Sequence, residues 1–375
     1  MKSIRRNLVM NLKNIPGWRT PRKLVVFISD DWGDLRIESE ENYEQLLAGG
    51  IPVENSVHTK YEALANAEDL EMLFSVLSSF KDSKGKPAVF TPFTIMANPD
   101  FEKIRDSGYQ NYTAIPFVKR LKTTEEGKKT WRAWQDGIQR GVFNPEYHGR
   151  DHLNVPVWMK ALRKGDEKLH FCYNNHYAYY RTEDMSINPV YAFYFETEKD
   201  FLFLERSLMQ GVDLFQDAFG RKPVVFSPPN GMFNRRFYPS LVEKKIKAIS
   251  AAHRRIEPDG KGGTVTGKCS FGEESPEGLL HYISNCAFEP VKEEYTGPEI
   301  TLKQIAAAFR WGKPALINTH RVNYIGSRNP DVRAKGLEEL NKLLAEIRRV
   351  WPDSEFISAG EFANYMNSSI KAEAK

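Results

Sequence analysis

Apolar positions in this chain fall into short unbroken runs separated by stretches of helical spacing. The first run, Leu24–Ile28, is mostly β-branched or aromatic and has no polar interruption. Such a run predicts a strand buried on both faces, as in a parallel sheet or barrel core. Further runs predict strands over 88–93, 223–227, 247–251, 279–284, 314–320 and 355–358. Between them, apolar residues at helical spacing predict helices over 38–48, 66–80, 128–140, 155–164, 197–219, 301–311, 331–350 and 359–366. Asn66 with Asp69 three residues later reads as a helix start, and Gly49–Gly50 and Gly220 read as stops. Residues 101–127 read as irregular and polar, and 257–275 as a Gly-rich surface hairpin or loop. The aromatics between Phe171 and Phe195 show no clear period.

Strand and helix alternate seven or eight times, with no linker-like composition and no fixed-period repeat. The pattern predicts a single α/β domain, a (β/α) barrel, over 24–367. A basic lead-in, 1–23, precedes it and a frayed tail, 368–375, follows.

Composition changes this picture little. The chain has 375 residues, 41% apolar and 27% charged, with a net charge of +4. Lys and Arg are scattered rather than striped, so no nucleic-acid partner is expected. Cys172, Cys269 and Cys286 form no Cys-x-x-Cys pair, which argues against a disulfide framework and a cysteine-built zinc site. No run approaches the roughly 18 apolar residues of a membrane span. Met1–Arg22 lacks the apolar core of a secretory signal, so the expected location is cytoplasmic.

The candidate chemistry starts where the first run stops, at Asp30, Asp31, Trp32 and Gly33. In parallel α/β folds, chemistry collects at the carboxyl ends of strands. Two adjacent acids there repel each other unless a cation takes one of them. His148 and His152 are four apart, a spacing that puts both imidazoles on one face of a helical turn. With one carboxylate they make a two-His, one-Asp set with an open position, as a catalytic zinc requires. His320 closes a predicted strand, and Asn318, Arg321 and Asn323 around it are polar where a core would be apolar. Ser227–Pro228–Pro229–Asn230–Gly231 follows another strand as a stiff turn that allows close approach at its glycine. His176 reads as packing within the aromatic stretch, and His58, His170, His253 and His281 carry no functional signal.

Taken in order, these elements resemble the polysaccharide deacetylase family, the fourth carbohydrate esterase family, over roughly 24–320. The resemblance implies a distorted (β/α) barrel of about seven strands. It implies Asp30 as general base, Asp31, His148 and His152 as ligands of a divalent metal, with zinc expected, and His320 as general acid. The Pro-Pro-x-Gly turn would help build the pocket, with the backbone N–H of Asn230 facing the oxyanion. Trp32, Pro229, Asn230, Arg321 and Asn323 are the expected substrate-facing residues. The expected function is therefore metal-dependent removal of acetyl groups from an N-acetylated or O-acetylated glycan.

Four features depart from the family pattern. Trp32 separates the Asp pair from Gly33, Ser227 stands where the family has an arginine, and Asn318 replaces a leucine. No Asp-x-x-x-Asp-Trp motif is present to orient His320. Two alternatives stay open: a glycan-binding relative that keeps the metal but not turnover, and a glycoside hydrolase on a related barrel.

Overall fold

The computed structural model describes residues 2–373. Thirteen strands occur in chain order: β1 (Leu24–Trp32), β2 (Phe90–Ile95), β3 (Ala97–Pro99), β4 (Ala114–Pro116), β5 (Glu146–Gly149), β6 (Val225–Phe226), β7 (Ala248–Ala251), β8 (Arg254–Pro258), β9 (Thr264–Lys268), β10 (Leu280–Ile283), β11 (Cys286–Ala287), β12 (Ala315–His320) and β13 (Glu355–Phe356). Nine of them form one curled sheet, eight in the order β10-β7-β6-β5-β2-β1-β12-β11 with β13 added beside β1, every pairing parallel. Helices pack around it, as in a distorted (β/α) half-barrel. Two antiparallel pairs, β3 with β4 and β8 with β9, stand apart from the sheet.

β1 is central, as its unbroken apolar run requires. It pairs with β12 from Val25 opposite Ala315 to Asp30 opposite His320. Its other edge is shared in tandem. β13 takes Leu24 and Val25, and β2 takes the strand from Phe27 onward. Side chains alternate faces along a strand. Val25 and Phe27 pack with Phe90, Ile317, Ile347 and Phe356. Leu24, Val26 and Ile28 pack with Phe93, Leu316, Phe362 and Met366. The period of two carries this second face onward to Asp30 on β1 and to Asn318 and His320 on β12. Their carboxyl ends therefore deliver three polar side chains to one place.

The helices follow the sequence pattern closely, with capping boxes at Asn66/Asp69 and Thr197/Asp200. Three readings need correction. Residues 101–127 are not irregular throughout: they hold helices Phe101–Asp106 and Phe117–Leu121 and strand β4. The lead-in forms a helix, Lys2–Leu12. The last helix runs over Ala359–Glu373, into the segment expected to fray, and residues 374–375 lie outside the described residues. Cys172, Cys269 and Cys286 are free and buried.

Helix Pro330–Val350 crosses the turn Arg321–Tyr324 at Gly336. A Cβ on Gly336 would lie 1.7 Å from the carbonyl oxygen of Asn323. Gly336→Ala gains about 1 kcal/mol of helix propensity, but a backbone carbonyl cannot rotate aside as a side chain can. Overpacking of this kind costs about 1–3 kcal/mol or more. The clash should win, and thermal melts of Gly336→Ala should show a lower Tm than wild type.

Candidate metal centre and its cavity

The end of β1 is not a regular strand. Ser29 pairs with Pro92 and Trp32 with Thr94, so β1 holds one more residue than β2 across the same interval. Asp31 takes up the extra length in the left-handed region, at φ 70. In a regular strand Asp30 and Asp31 would point to opposite faces. The bulge lets both line one cavity of about 860 Å³. Trp32 is turned into the core, where its indole N–H donates to Ser29 Oγ at 2.8 Å and its ring meets Trp134 and Phe143 edge-on. Trp32 is therefore a core residue and not the substrate contact that its position suggested.

His148 is the next-to-last residue of β5, and His152 follows in the bend after the strand rather than one helical turn on. Gly149 makes this route possible with φ 132. Asn154 then caps helix Val155–Lys164, and its amide donates to the carbonyls of Tyr191 and Tyr194, which pins the bend. The two imidazoles converge by a strand end and a loop, not by helical period.

Asp31 Oδ1 lies 3.1 Å from Nε2 of His152 and 3.4 Å from Nε2 of His148. The three ligand atoms fall within 4.8 Å of one another, and all three residues are buried. Nδ1–H of His148 donates to the carbonyl of Ser227 at 2.7 Å, so in the neutral ring Nε2 carries a lone pair toward Asp31. Asp31 Oδ1 is buried with no hydrogen-bond partner. Facing lone pairs repel unless positive charge stands between them. Zinc ligands at about 2.0–2.2 Å in a tetrahedron are about 3.3 Å apart. The donor set and its spacing thus fit one divalent ion.

The surrounding charge fits it too. Arg36 is buried, with Nε 2.7 Å from Asp34 and 3.5 Å from Glu62, and Nη2 3.6 Å from Asp31. Its guanidinium stacks on Tyr179 at 4.3 Å, and the Tyr179 hydroxyl donates to Asp34. Arg321 is fully buried and lies 3.2 Å from Glu62. It anchors Glu62 beneath the site and does not line the cavity, which corrects its expected role. Five carboxylates, Asp30, Asp31, Asp34, Glu62 and Glu289, therefore face two guanidiniums. A second donor group, Asp31, His58 and Glu62, lies beside the first. There Arg321 and Arg36 already supply the positive charge that Glu62 needs.

His320 points into the cavity from β12, with Nδ1 2.5 Å from Glu289 Oε1. Glu289 Oε2 accepts from Asn323 Nδ2 at 2.8 Å. Asn323 is fully buried, so it supports Glu289 and meets no substrate. Burial disfavours the charged form of His320, but Glu289 outweighs it, and the imidazolium persists up to about 10. Burial pushes Asp30 above the usual carboxylate range, opposed by His148 and His320 and aided by Asp31 and Glu289. Burial also disfavours charge on Asp31, yet His152, His148 and Arg36 hold it well below that range.

Pro228, Asn230 and Gly231 line the cavity, whereas Pro229 is buried and does not line it, a correction to its expected place. Asn230 is left-handed, at φ 53, and its amide donates to the Val190 carbonyl at 2.9 Å. Four supporting residues carried no pattern in the sequence. His58 lies 3.6 Å from Asp31 and meets the His320 ring edge-on at 4.9 Å. Glu62, Arg36 and Glu289 likewise come from segments without period. Among the eight histidines, His176 contacts Glu38 and stacks on Phe101 away from the cavity, and His281 is held by Tyr238 and the Glu273 carbonyl.

No protein-family model matches the chain, and no curated protein matches it. Solved structures do. A Mycobacterium smegmatis protein described as a polysaccharide deacetylase is 13% identical, with 94% of each chain covered and a TM-score of 0.43. A pseudoenzyme of the CE4 family from Bacillus anthracis is 10% identical over 93% of this chain and 69% of its own, with a TM-score of 0.40. A 4-α-glucanotransferase from Thermococcus litoralis is 9% identical over 92% of this chain and 40% of its own, with a TM-score of 0.45. An enzyme class does not follow from likenesses of this kind, so the chemistry has to be read from the residues of the site.

Proposed function

We propose that the protein is a divergent polysaccharide deacetylase, a metal-dependent hydrolase that removes acetyl groups from an N-acetylated or O-acetylated glycan. One observation carries the reading. The Asp31–His148–His152 donor set, a separate carboxylate on Asp30 and a Glu289-held His320 all meet in one cavity. Asp31, His148 and His152 would hold the ion, which the donor types suit to zinc. When bound, such an ion supplies Lewis acidity toward an acetyl carbonyl and activates water.

The chain's own groups account for the proton movements. Asp30, raised by burial, is suited to take a proton from the attacking water. His320 has Nδ1 engaged by Glu289, so its proton on Nε2 is the one available to the leaving amine or alcohol. The N–H of Asn230, in the stiff turn at the cavity wall, is the candidate donor to the oxyanion. Glu289 here does the orienting work for which no Asp-Trp motif was found.

A second reading, a glycan-binding protein that keeps the metal, is favoured by one observation. Ser227 stands where an arginine would pair with the base, and among the described residues no guanidinium forms an ion pair with Asp30. The deciding measurement is acetate release from a panel of N- and O-acetylated glycans, with chelator and after zinc is restored. Release that stops with chelator and returns with zinc is expected. A metal-loaded protein that releases no acetate from any of them would establish the second reading.

A further inference from the structure

The helix Lys2–Leu12 carries its apolar residues on the wrong side for a core element. Leu8, Val9 and Leu12 are 56%, 55% and 51% exposed, and Ile15, just beyond the helix, is 37% exposed. Positions 8, 12 and 15 recur at one helical face, with 9 beside them. Scattered exposed apolar residues need no explanation, but a continuous stripe does.

The stripe is not loose. The last turn of the helix and the two residues after it are tied to the domain by a set of polar anchors. Asn11 Oδ1 accepts from Arg310 at 2.9 Å and from the Trp311 indole at 3.1 Å. Asn14 Oδ1 accepts from Asn285 at 2.9 Å, and Lys13 donates to the Asn285 carbonyl at 2.5 Å. Met10 is buried between them. Rolling the helix to hide Leu8 and Leu12 would break all four hydrogen bonds. The fold holds the apolar face outward.

Charge indicates what covers it. The first 29 residues hold seven lysines and arginines and no acid. Three of these, Lys2, Arg5 and Arg6, precede the stripe directly. Across a groove of about 630 Å³ from Leu12 and Pro16 stands the β8–β9 hairpin, which adds Arg254 and Lys268. Ile256, two residues from Arg254 and so on the same face of the hairpin, is 44% exposed. Apolar side chains flanked by cations, with Asp259 at the hairpin turn the one exposed acid of the helix and the hairpin, match an anionic bilayer surface, where headgroups take the cations and the acyl boundary takes the apolar face. Among the described residues no helix is long and apolar enough to cross a membrane, so the contact would be peripheral.

We propose that the N-terminal helix and the β8–β9 hairpin form a docking surface for an anionic lipid bilayer. Lys13 and His253 line both the groove beside the helix and the main cavity, and the His253 ring hydrogen-bonds the Lys13 carbonyl at 2.8 Å, so the docking surface lies directly beside the cavity wall. Nothing in this inference depends on the reaction catalysed.

The test is flotation of the full-length protein with phosphatidylcholine vesicles, with and without phosphatidylglycerol. Binding is expected with phosphatidylglycerol, and about tenfold weaker binding without it or in high salt. A Leu8→Ser/Leu12→Ser double variant alters exposed positions only, so its Tm should match wild type while its binding falls by about tenfold or more. An Arg5→Ser/Arg6→Ser variant should weaken binding and reduce its salt dependence. Absence of wild-type binding to either vesicle overturns the proposal, as does binding that neither variant weakens. Wild-type dimers that Leu8→Ser/Leu12→Ser converts to monomers, without vesicle binding, would assign the stripe to a second copy of the chain.

Discussion

Replacing Asp30 with asparagine is expected to lower the rate of acetate release about 10²–10⁴-fold while leaving the bound metal at one ion per chain. The two effects separate because Asp30 and Asp31 serve different partners. Asp31 supplies the carboxylate oxygen of the donor set, and Asp30 is not part of it. Asp30 Oδ1 is buried without a hydrogen-bond partner. Asparagine keeps the shape but cannot accept a proton, so the loss should fall on kcat. Metal content by mass spectrometry, measured beside kcat on the same sample, checks both halves. Wild-type turnover in Asp30→Asn would remove Asp30 from the chemistry and leave the metal assignment standing.

Asp31→Asn should fail in the other order: metal first, activity as a consequence. The choice of asparagine matters. Asp31 sits at φ 70, a conformation that asparagine tolerates far better than alanine or a branched residue. The variant therefore removes a charged ligand with little added backbone strain. Outer partners of metal ligands are worth about 10–100-fold in affinity, so loss of the only carboxylate of the donor set should cost at least about 100-fold. Thermal melts read this without any substrate. An ion at about 100 times its Kd stabilises a folded protein by about 2.7 kcal/mol. Wild type should gain Tm on adding zinc, and Asp31→Asn should not at the same concentration. An equal zinc-dependent gain in both proteins would show that the ion binds elsewhere.

The sequence read well where one local pattern was enough. Leu24–Ile28 announced a buried strand, and a strand that ends in two acids brings unbalanced charge to a predictable place. The spacing of His148 and His152 points to their proximity but not to its geometry, because spacing by four is also met by a strand end and a bend. Polar residues near a strand end were harder. Arg321 and Asn323 looked like cavity residues because they are polar. In the fold they are fully buried and hold Glu62 and Glu289 in place. Trp32 misled for a related reason: a bulge between Ser29 and Trp32 reverses the face that simple alternation gives it. Glu62, His58, Arg36 and Glu289 had no signal at all. Each lies in a turn or short segment, and only the tertiary fold brings it to Asp31 or His320.

The tandem pairing on one edge of β1 has a consequence for how the chain acquires its site during synthesis. The root of the strand bearing Asp30 and Asp31 is gripped by β13, and Phe362 and Met366 cover the face of Leu24, Val26 and Ile28. A nascent chain that stops short of Glu355 would already carry both aspartates and both histidines, yet the strand beneath them would lie open to solvent. The candidate donor set would therefore be held in place only once the segment from Glu355 to Met366 has docked on β1.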